Sequence, residues 1–366
     1  MKKVIACEIT LKSISEQCDW VSSASFRLRQ QLPELLKNPP SDITVKKFDK
    51  GNMGAYLLTF NSLGERQVVL KKMQVSKLFS ELDLLKRIKT LNASGLSVCL
   101  YDSFLDRNQD TWVLWEYAEP SRETQLSDLI EVTKRRVADA DNHPVDIDPN
   151  LQYSHSFLYL LTHYSYAIFN EHALDVIPNP EMLASYRAWA TRILSPDFLA
   201  RYHKLPKSVT HCDIKPDNIV VTKKGPKLID WDDARVDTRL FELSRFVSSH
   251  AIRMERDGDN VLYVPDPDAF NKALGVAQAM MEELSFSLEE KALLPEIMIL
   301  DRLLDDAWRI HLYLMQTYPE LRASKQELCE GFESLIGRYP KERVQNTLEN
   351  LWPSYRPFME KGSDNR

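Results

Sequence analysis

Hydrophobic and polar positions along the first third of the chain fall into five short, β-rich runs separated by turn residues: Ile43 to Phe48, Gly54 to Phe60, Gln67 to Met73, Val98 to Phe104 and Thr111 to Tyr117. Runs of that length and composition predict strands. Between the third and fourth, Leu78, Leu82, Leu85 and Ile88 recur at helical spacing, which predicts a helix over 76–91. A further short amphipathic helix is predicted over 23–38, closed by the breaker Asn38-Pro39-Pro40-Ser41-Asp42. From residue 120 the period changes to that of helices, at 124–139, 151–172, 180–194, 268–284, 288–316 and 324–336, with one compact β insertion at 218–230. The change falls at Glu116-Tyr117-Ala118-Glu119-Pro120. The expected organisation is therefore an N-terminal lobe, 1–118, of a five-stranded sheet with one helix, followed by a larger helical lobe, 119–366.

Composition narrows the functional classes. The chain has 366 residues, 43% hydrophobic and 27% charged, as in ordinary globular proteins. It carries 47 Lys plus Arg against 53 Asp plus Glu, a net charge of −6. A dedicated nucleic-acid binder normally has the opposite balance, so no nucleic-acid partner is expected. Five scattered cysteines without a C-x-x-C pair fit free thiols in a reducing compartment. The opening Met1 to Cys7 is interrupted by Glu8 and Lys12 before it reaches the length of a signal peptide, and the run Phe157 to Phe169 is too short to span a membrane. A cytoplasmic protein with no membrane partner is the expectation. Only 10 glycines occur in the whole chain. Any loop that cradles phosphates must be glycine-poor.

The candidate chemistry is concentrated in Val209-Thr-His-Cys-Asp-Ile-Lys-Pro-Asp-Asn-Ile-Val-Val-Thr222 and Lys227-Leu-Ile-Asp-Trp-Asp-Asp-Ala234. His211, Asp213 and Asn218 have the spacing H-x-D-x-x-x-x-N, and Asp230 follows. Phosphoryl transfer needs such groups: a carboxylate to orient and accept the proton of an attacking hydroxyl, and oxygen ligands to hold Mg²⁺ against a nucleotide's phosphates. A strand from Ile219 to Thr222, a turn at Lys223-Lys224-Gly225 and a return through Lys227 to Ile229 would bring Asp230 back beside Asn218. Turn carboxylates that merely cap helices or hairpins are the bland alternative for both acids.

These residues resemble the kinase-like phosphotransferases, specifically the aminoglycoside phosphotransferase and choline kinase branch. Ile229-Asp-Trp-Asp-Asp-Ala-Arg-Val-Asp-Thr-Arg-Leu-Phe-Glu-Leu-Ser-Arg-Phe246 is similar to the family's I-D-[FW]-[ED]-x-A start and later F-D-[IL]. It departs at Glu242, where the family usually has Asp, and at Asp237, where choline kinases have Asn. The resemblance implies an α+β, two-lobe protein-kinase-like fold and ATP- and Mg-dependent transfer of the γ-phosphate to a hydroxyl of a small-molecule acceptor. Asp213 would be the catalytic base and Asn218 and Asp230 the metal ligands. His211 would support the loop by packing and hydrogen bonding.

A kinase reading also asks for a cation on a strand and an acid on the next helix to position it. Val68-Val69-Leu70-Lys71 supplies the strand, with Lys71 on the face of Val69 and Lys72 one register slip away. Glu81, beside the Leu78 and Leu85 stripe, is the expected partner of Lys71. Gly51 and Gly54 in Asp49-Lys50-Gly-Asn-Met-Gly-Ala55 give the loop over the phosphates only a G-x-x-G pattern, which elsewhere is an ordinary turn. Trp112-Val-Leu-Trp-Glu-Tyr-Ala118 looks like the strand and hinge for adenine, with backbone bonds at Glu116 and Ala118 and Trp115 as a wall. Lys215, two residues after Asp213, resembles the protein-kinase lysine that touches the transferred phosphate. No D-F-G, long activation segment or A-P-E follows Asp230, so Lys215 is assigned to a small-molecule kinase.

For the acceptor, Asp301, Asp305 and Trp308 lie near one helical face, and carboxylates beside an indole suit a cationic amino alcohol or aminoglycoside. A solvated acidic face with Trp308 anchored in the core is the alternative. Two further functional classes stand beside the main expectation: a protein-modifying kinase, suggested by Lys215, and a nucleotide-binding module without turnover.

Overall fold

The computed structural model describes residues 38–48, 55–61, 66–72, 95–105, 111–142, 157–177, 179–250, 252–257 and 260–324, together with positions 28 and 36 and six positions within 341–348. The helices expected over 23–38, 76–91 and 324–336 lie largely outside these residues, as do Gly51, Gly54 and Glu81. The chain divides into two compact units, 1–124 with 219–232, and 125–218 with 233–366.

The first unit holds a five-stranded antiparallel sheet of β1 (Ile43–Lys47), β2 (Ala55–Phe60), β3 (Arg66–Lys72), β4 (Leu100–Leu105) and β5 (Thr111–Glu116), in the order β1-β2-β3-β5-β4. Each strand matches an expected run to within two residues. The two-residue period explains the faces. Leu58 and Phe60 of β2, Val68 and Leu70 of β3, and Trp112 and Leu114 of β5 all point one way and form the core with Ile43. In the register of the sheet Val69 faces Trp115 and Lys71 faces Val113, on the opposite side from that core, whereas Lys72 faces Trp112. A slip of one residue would exchange the two lysines and expose Val68 and Leu70, so burial of the core fixes which lysine lies beside Val69.

The insertion expected at 218–230 is a hairpin of β7 (Ile219–Thr222) and β8 (Gly225–Leu228), following β6 (Ser208–Thr210) in chain order. Gly225 turns it with a φ of +113°, which a side chain would resist. It packs with the first unit rather than with the helical lobe to which the sequence assigned it. Leu228 exchanges backbone hydrogen bonds with Leu96 and Val98, and the Val221 carbonyl accepts from Ser121. Both edges of the hairpin are thereby satisfied.

The second unit is mainly helical. In chain order its helices are α1 (Leu126–Asn142), α2 (Phe157–Phe169), α3 (Ala173–Val176), α4 (Pro180–Ile193), α5 (Pro196–Lys204), α6 (Leu240–His250), α7 (Pro267–Glu283), α8 (Leu288–Thr317) and α9 (Pro319–Ser324). Asn179, Ser195, Asp266 and Ser287 cap α4, α5, α7 and α8. Proline follows at the first helical position of α4, α5 and α7, where its missing N–H costs nothing. Helix α8 starts with a full capping box: Ser287 Oγ accepts the Glu290 N–H at 3.2 Å, and Glu290 Oε2 accepts the Ser287 N–H at 2.9 Å. Two further β pairs occur here: β6 with β9 (Arg235–Asp237), and the ribbon β10 (Ile252–Asp257) with β11 (Asn260–Pro265). The ribbon, the β6–β9 pair, α3, α5, α6 and α9 are not among the elements that the sequence pattern predicts. Among the described residues no helix is long and apolar enough to cross a membrane.

Candidate functional site

The groups singled out for chemistry fall into two sets, one in each unit. In the first unit the Lys71 ammonium, mostly buried, forms an ion pair with Asp230 Oδ1. Asp230 stands two residues past the end of β8 with a φ of +64°, a left-handed conformation that Asp tolerates better than most residues. That turn aims its carboxylate at Lys71, and the tethering of β8 to Leu96 and Val98 fixes where the turn begins. Lys72, on the other face, is not the lysine that meets this acid.

At the end of β5, Glu116 donates its N–H to the Cys99 carbonyl at 2.8 Å, and its side chain accepts the Cys99 N–H at 3.0 Å. The backbone of Ala118, two residues on, has no hydrogen-bond partner among the described residues, which leaves its N–H and C=O available. The Cys99 thiol is pushed up to about 11 by burial and by the Glu116 carboxylate, so it stays protonated and is no nucleophile. A cavity of about 450 Å³, in the range of small-ligand sites, opens between residues 120–124 and 219–221. Its frame is set by Ser121 and Thr124, whose hydroxyls donate to the Val221 and Ile219 carbonyls at 2.8 Å each.

In the second unit the loop after β6 presents Asp213. Asp213 Oδ2 accepts hydrogen bonds from Lys215 Nζ at 2.6 Å and from Asn218 Nδ2 at 2.7 Å, and Asn218 Nδ2 also reaches the Asp213 carbonyl at 2.9 Å. Among the described residues Oδ1 takes no hydrogen bond, and the side chain is partly exposed. Donation by both amide hydrogens leaves Asn218 Oδ1 as an oxygen donor. Buried His211 accepts the Asp213 N–H on Nδ1 at 3.3 Å, which places its own proton on Nε2.

What holds this loop from beneath is a residue the sequence reading recorded only as a departure. Glu242, at the start of α6 and fully buried, accepts the N–H of His211 at 2.6 Å and that of Cys212 at 3.2 Å. Cys212 sits at φ +64°, and the two bonds stabilise that left-handed turn. Arg136 of α1 lies 3.3 Å from Glu242 Oε1 and also donates to the Val209 carbonyl, so the buried carboxylate has a counter-ion. Asp237, the other departure, is a buried hub. It accepts from Tyr202 Oη at 2.5 Å, Lys207 Nζ at 3.2 Å, and the Thr238 and Phe157 N–H groups at 2.7 and 2.9 Å. Only the F-E-L motif signalled Glu242; nothing in the local sequence signalled Arg136 or Lys207.

The three acceptor candidates are separated by their partners. Asp301 is buried, accepts from Ser244 Oγ at 2.8 Å and pairs with Arg245 of α6 at 2.7 Å. Asp305 receives both terminal nitrogens of the same guanidinium at 3.2 Å. Trp308, like Tyr166 and Leu321, packs against the buried cluster of Leu312 and Met315. Burial pushes Asp301 up to about 6 against the pull of Arg245. Asp305, although burial opposes it, is pulled down to about 2 by Arg245, Arg309 and Arg302. Burial alone would lower the Arg245 guanidinium. The charges of Asp301 and Asp305, with a smaller contribution from Asp213, hold it well above its ordinary value.

Asn218 and Asp230 offer one amide oxygen and one carboxylate, hard donors that suit Mg²⁺, an ion usually bound by one or two protein oxygens together with phosphates. Among the described residues there is no cluster of three or more His, Cys, Asp or Glu that could hold a metal.

Residues 163–286, which contain the Asp213 loop, Asp230 and Glu242, match the family model described as the phosphotransferase enzyme family. This segment is similar to that family. No curated protein matches the chain in sequence. Solved structures that share the fold include a choline kinase and an ethanolamine kinase. A choline kinase from Cryptosporidium parvum superposes with a TM-score of 0.57 at 9% identity, over 92% of this chain and 95% of its own. An ethanolamine kinase from Plasmodium vivax superposes with a TM-score of 0.59 at 11% identity, over 92% and 88%. The expected α+β kinase-like fold, a β-rich first lobe and a larger helical second, is the fold found.

Proposed function

We propose that the protein is a small-molecule kinase that moves the γ-phosphate of ATP, with Mg²⁺, to a hydroxyl of its acceptor. The observation that carries this reading is the state of Asp213. Oδ2 is held by Lys215 and Asn218 while Oδ1 is left to take the proton of an incoming hydroxyl. Held in this way the carboxylate cannot rotate away from the acceptor, which is the positioning that phosphoryl transfer requires of a protein.

The remaining roles belong to the same proposal. Lys71, on the face of β3 opposite the core, would hold the α- and β-phosphates, with Asp230 keeping the ammonium in place when the nucleotide is absent. Lys215 would turn from Asp213 toward the transferred phosphoryl group as negative charge builds on it. Glu81 would position Lys71, and Gly51 and Gly54 would cover the phosphates. The Glu116 carbonyl and the free backbone of Ala118 would receive the base. Asn218 Oδ1 and the Asp230 carboxylate would bind Mg²⁺, which when present neutralises charge on the nucleotide's phosphates.

Nucleotide-dependent melting in the presence of Mg²⁺, combined with ADP release over a panel of hydroxyl compounds, tests the proposal. Stabilisation by ATP and acceptor-dependent ADP release are expected. Labelled phosphate entering protein but no small molecule would favour the protein-modifying alternative, and stabilisation without any turnover would favour the silent module.

A further inference from the structure

Arg245 changes what the acidic face of α8 can bind. From the sequence alone, residues 301–309 contribute Asp301, Asp305 and Asp306 against Arg302 and Arg309, an excess of one negative charge that would welcome a cation. In the folded unit, Arg245 of α6 adds the sixth charge. It contacts Asp301 at 2.7 Å and grips Asp305 through both terminal nitrogens at 3.2 Å. Asp306 is already shared between Arg302 and Arg309. Every carboxylate of the face is paired, and three carboxylates balance three guanidiniums.

We infer that Arg245 is a specificity-determining residue that closes this face to cationic acceptors and suits it to an uncharged polyol or sugar. The inference rests on the phosphotransferase reading above and narrows its acceptor class. It replaces the amino alcohol or aminoglycoside expected from Asp301, Asp305 and Trp308.

Three observations support it. First, a cationic acceptor would have to displace a guanidinium that already makes a two-pronged contact, the strongest geometry available to a carboxylate. Second, Arg245 belongs to the surroundings of the catalytic loop. Ser244 and Arg245 follow Glu242, which holds the loop, within one turn of α6, and the Asp213 charge is felt at the Arg245 guanidinium. A positive acceptor group arriving there finds the nearest carboxylates, Asp301 and Asp305, already engaged by this guanidinium. Third, the pair is not sealed. The Arg245 side chain is 20% exposed and that of Asp305 32%, while Asp301 beneath them is only 3% exposed. The partly exposed edges of Arg245 and Asp305, within a six-charge cluster that balances, hydrogen-bond hydroxyl groups without demanding a charge from the ligand.

Binding calorimetry on the full chain tests this, with choline and kanamycin as cationic probes and ribose and inositol as neutral ones, alongside phosphate transfer to each. Arg245→Gln frees Asp305 and is expected to bind choline at least about tenfold more tightly than the wild type does, a shift typical of removing a like charge. The wild-type protein is expected to favour a neutral probe over both cations. Choline or kanamycin bound by the wild type as tightly as by Arg245→Gln would overturn the inference. Should Arg245→Gln fail to fold, Asp305→Asn, at the more exposed partner, is the second variant. It leaves an excess positive charge and is expected to bind glycerate about tenfold more tightly than the wild type. Unchanged glycerate binding would count against the inference. The expected binding pattern with no phosphate transferred to any compound would overturn the phosphotransferase reading and leave the selectivity supported.

Discussion

Glu242 shows how much a single buried side chain carries in this protein. Its carboxylate meets two loop N–H groups and one guanidinium with no exposure to water. Glu242→Gln keeps the shape and removes the charge, leaving Arg136 buried against a neutral amide. Breaking a buried pair on one side costs about 3–5 kcal/mol, so the urea midpoint should fall sharply, and Glu242→Gln should also lose activity faster than it loses nucleotide affinity. Asp301 makes a different prediction, one in pH. Its folded carboxyl titrates near 6 against an ordinary 3.8, so the folded state binds the proton more tightly than the unfolded state. The resulting stability is fully present below about pH 3.8 and is lost as pH rises through about 6, by at most about 1.4 kcal/mol per pH unit. Asp305 has the opposite sign. Its contribution is present above 3.8 and lost only as pH falls toward 2. Urea unfolding of the wild type and Asp301→Asn between pH 4 and 7 separates them: the wild type should lose stability relative to Asp301→Asn across that window. Parallel curves would refute the assignment.

At the scale of elements, the strands were legible in the sequence because each has one face in the core of the sheet. Leu58 with Phe60, Val68 with Leu70 and Trp112 with Leu114 repeat at the sheet's own period. Helix α8 was legible for the analogous reason, with its start marked by Ser287 and Glu290. Ser287→Ala should cost about 1 kcal/mol in thermal or urea unfolding, since it removes the Oγ that accepts the Glu290 N–H while the backbone half of the capping box remains. Helix α6 was not legible. Its residues Leu240 to Val247 are buried on almost every side, so no polar face marks a period, and Glu242 and Ser244 within it read as surface residues. Their burial depends on partners 31 or more residues away in sequence, at His211 and Asp301. The β10–β11 ribbon was missed because Arg253, Glu255, Arg256 and Asp257 interrupt any apolar alternation.

Across the whole molecule, the candidate chemistry was legible where it is local. Asp213, Lys215 and Asn218 lie within six residues and Asp230 follows through one hairpin, so spacing alone nominates them. That stretch also crosses between the two compact units, at 218–219 and again at 232–233, so the motif contributes Asp213 and Asn218 to one unit and Asp230 to the other. Residues that support it from a distance, Arg136 and Arg245, carry no local signature, since an arginine on a helix reads as solvated until its partner is known. The ion pair between Lys71 and Asp230 is a long-range contact: the sequence nominates both residues without pairing them, and the partner it names for Lys71, Glu81, lies outside the described residues. Lys71→Ala should therefore weaken ATP-dependent stabilisation in a melting assay without unfolding the second unit, and full ATP stabilisation in that variant would contradict its role.

The central claim is that Asp213 serves as the base for phosphoryl transfer, and Asp213→Asn tests it most directly. The amide can still accept from Lys215 and preserves the loop, but it cannot take a proton. With Mg²⁺ and an acceptor identified from the panel, the account predicts a fall in kcat of about 10²–10⁴-fold with ATP affinity retained. Transfer at the wild-type rate by Asp213→Asn would contradict it.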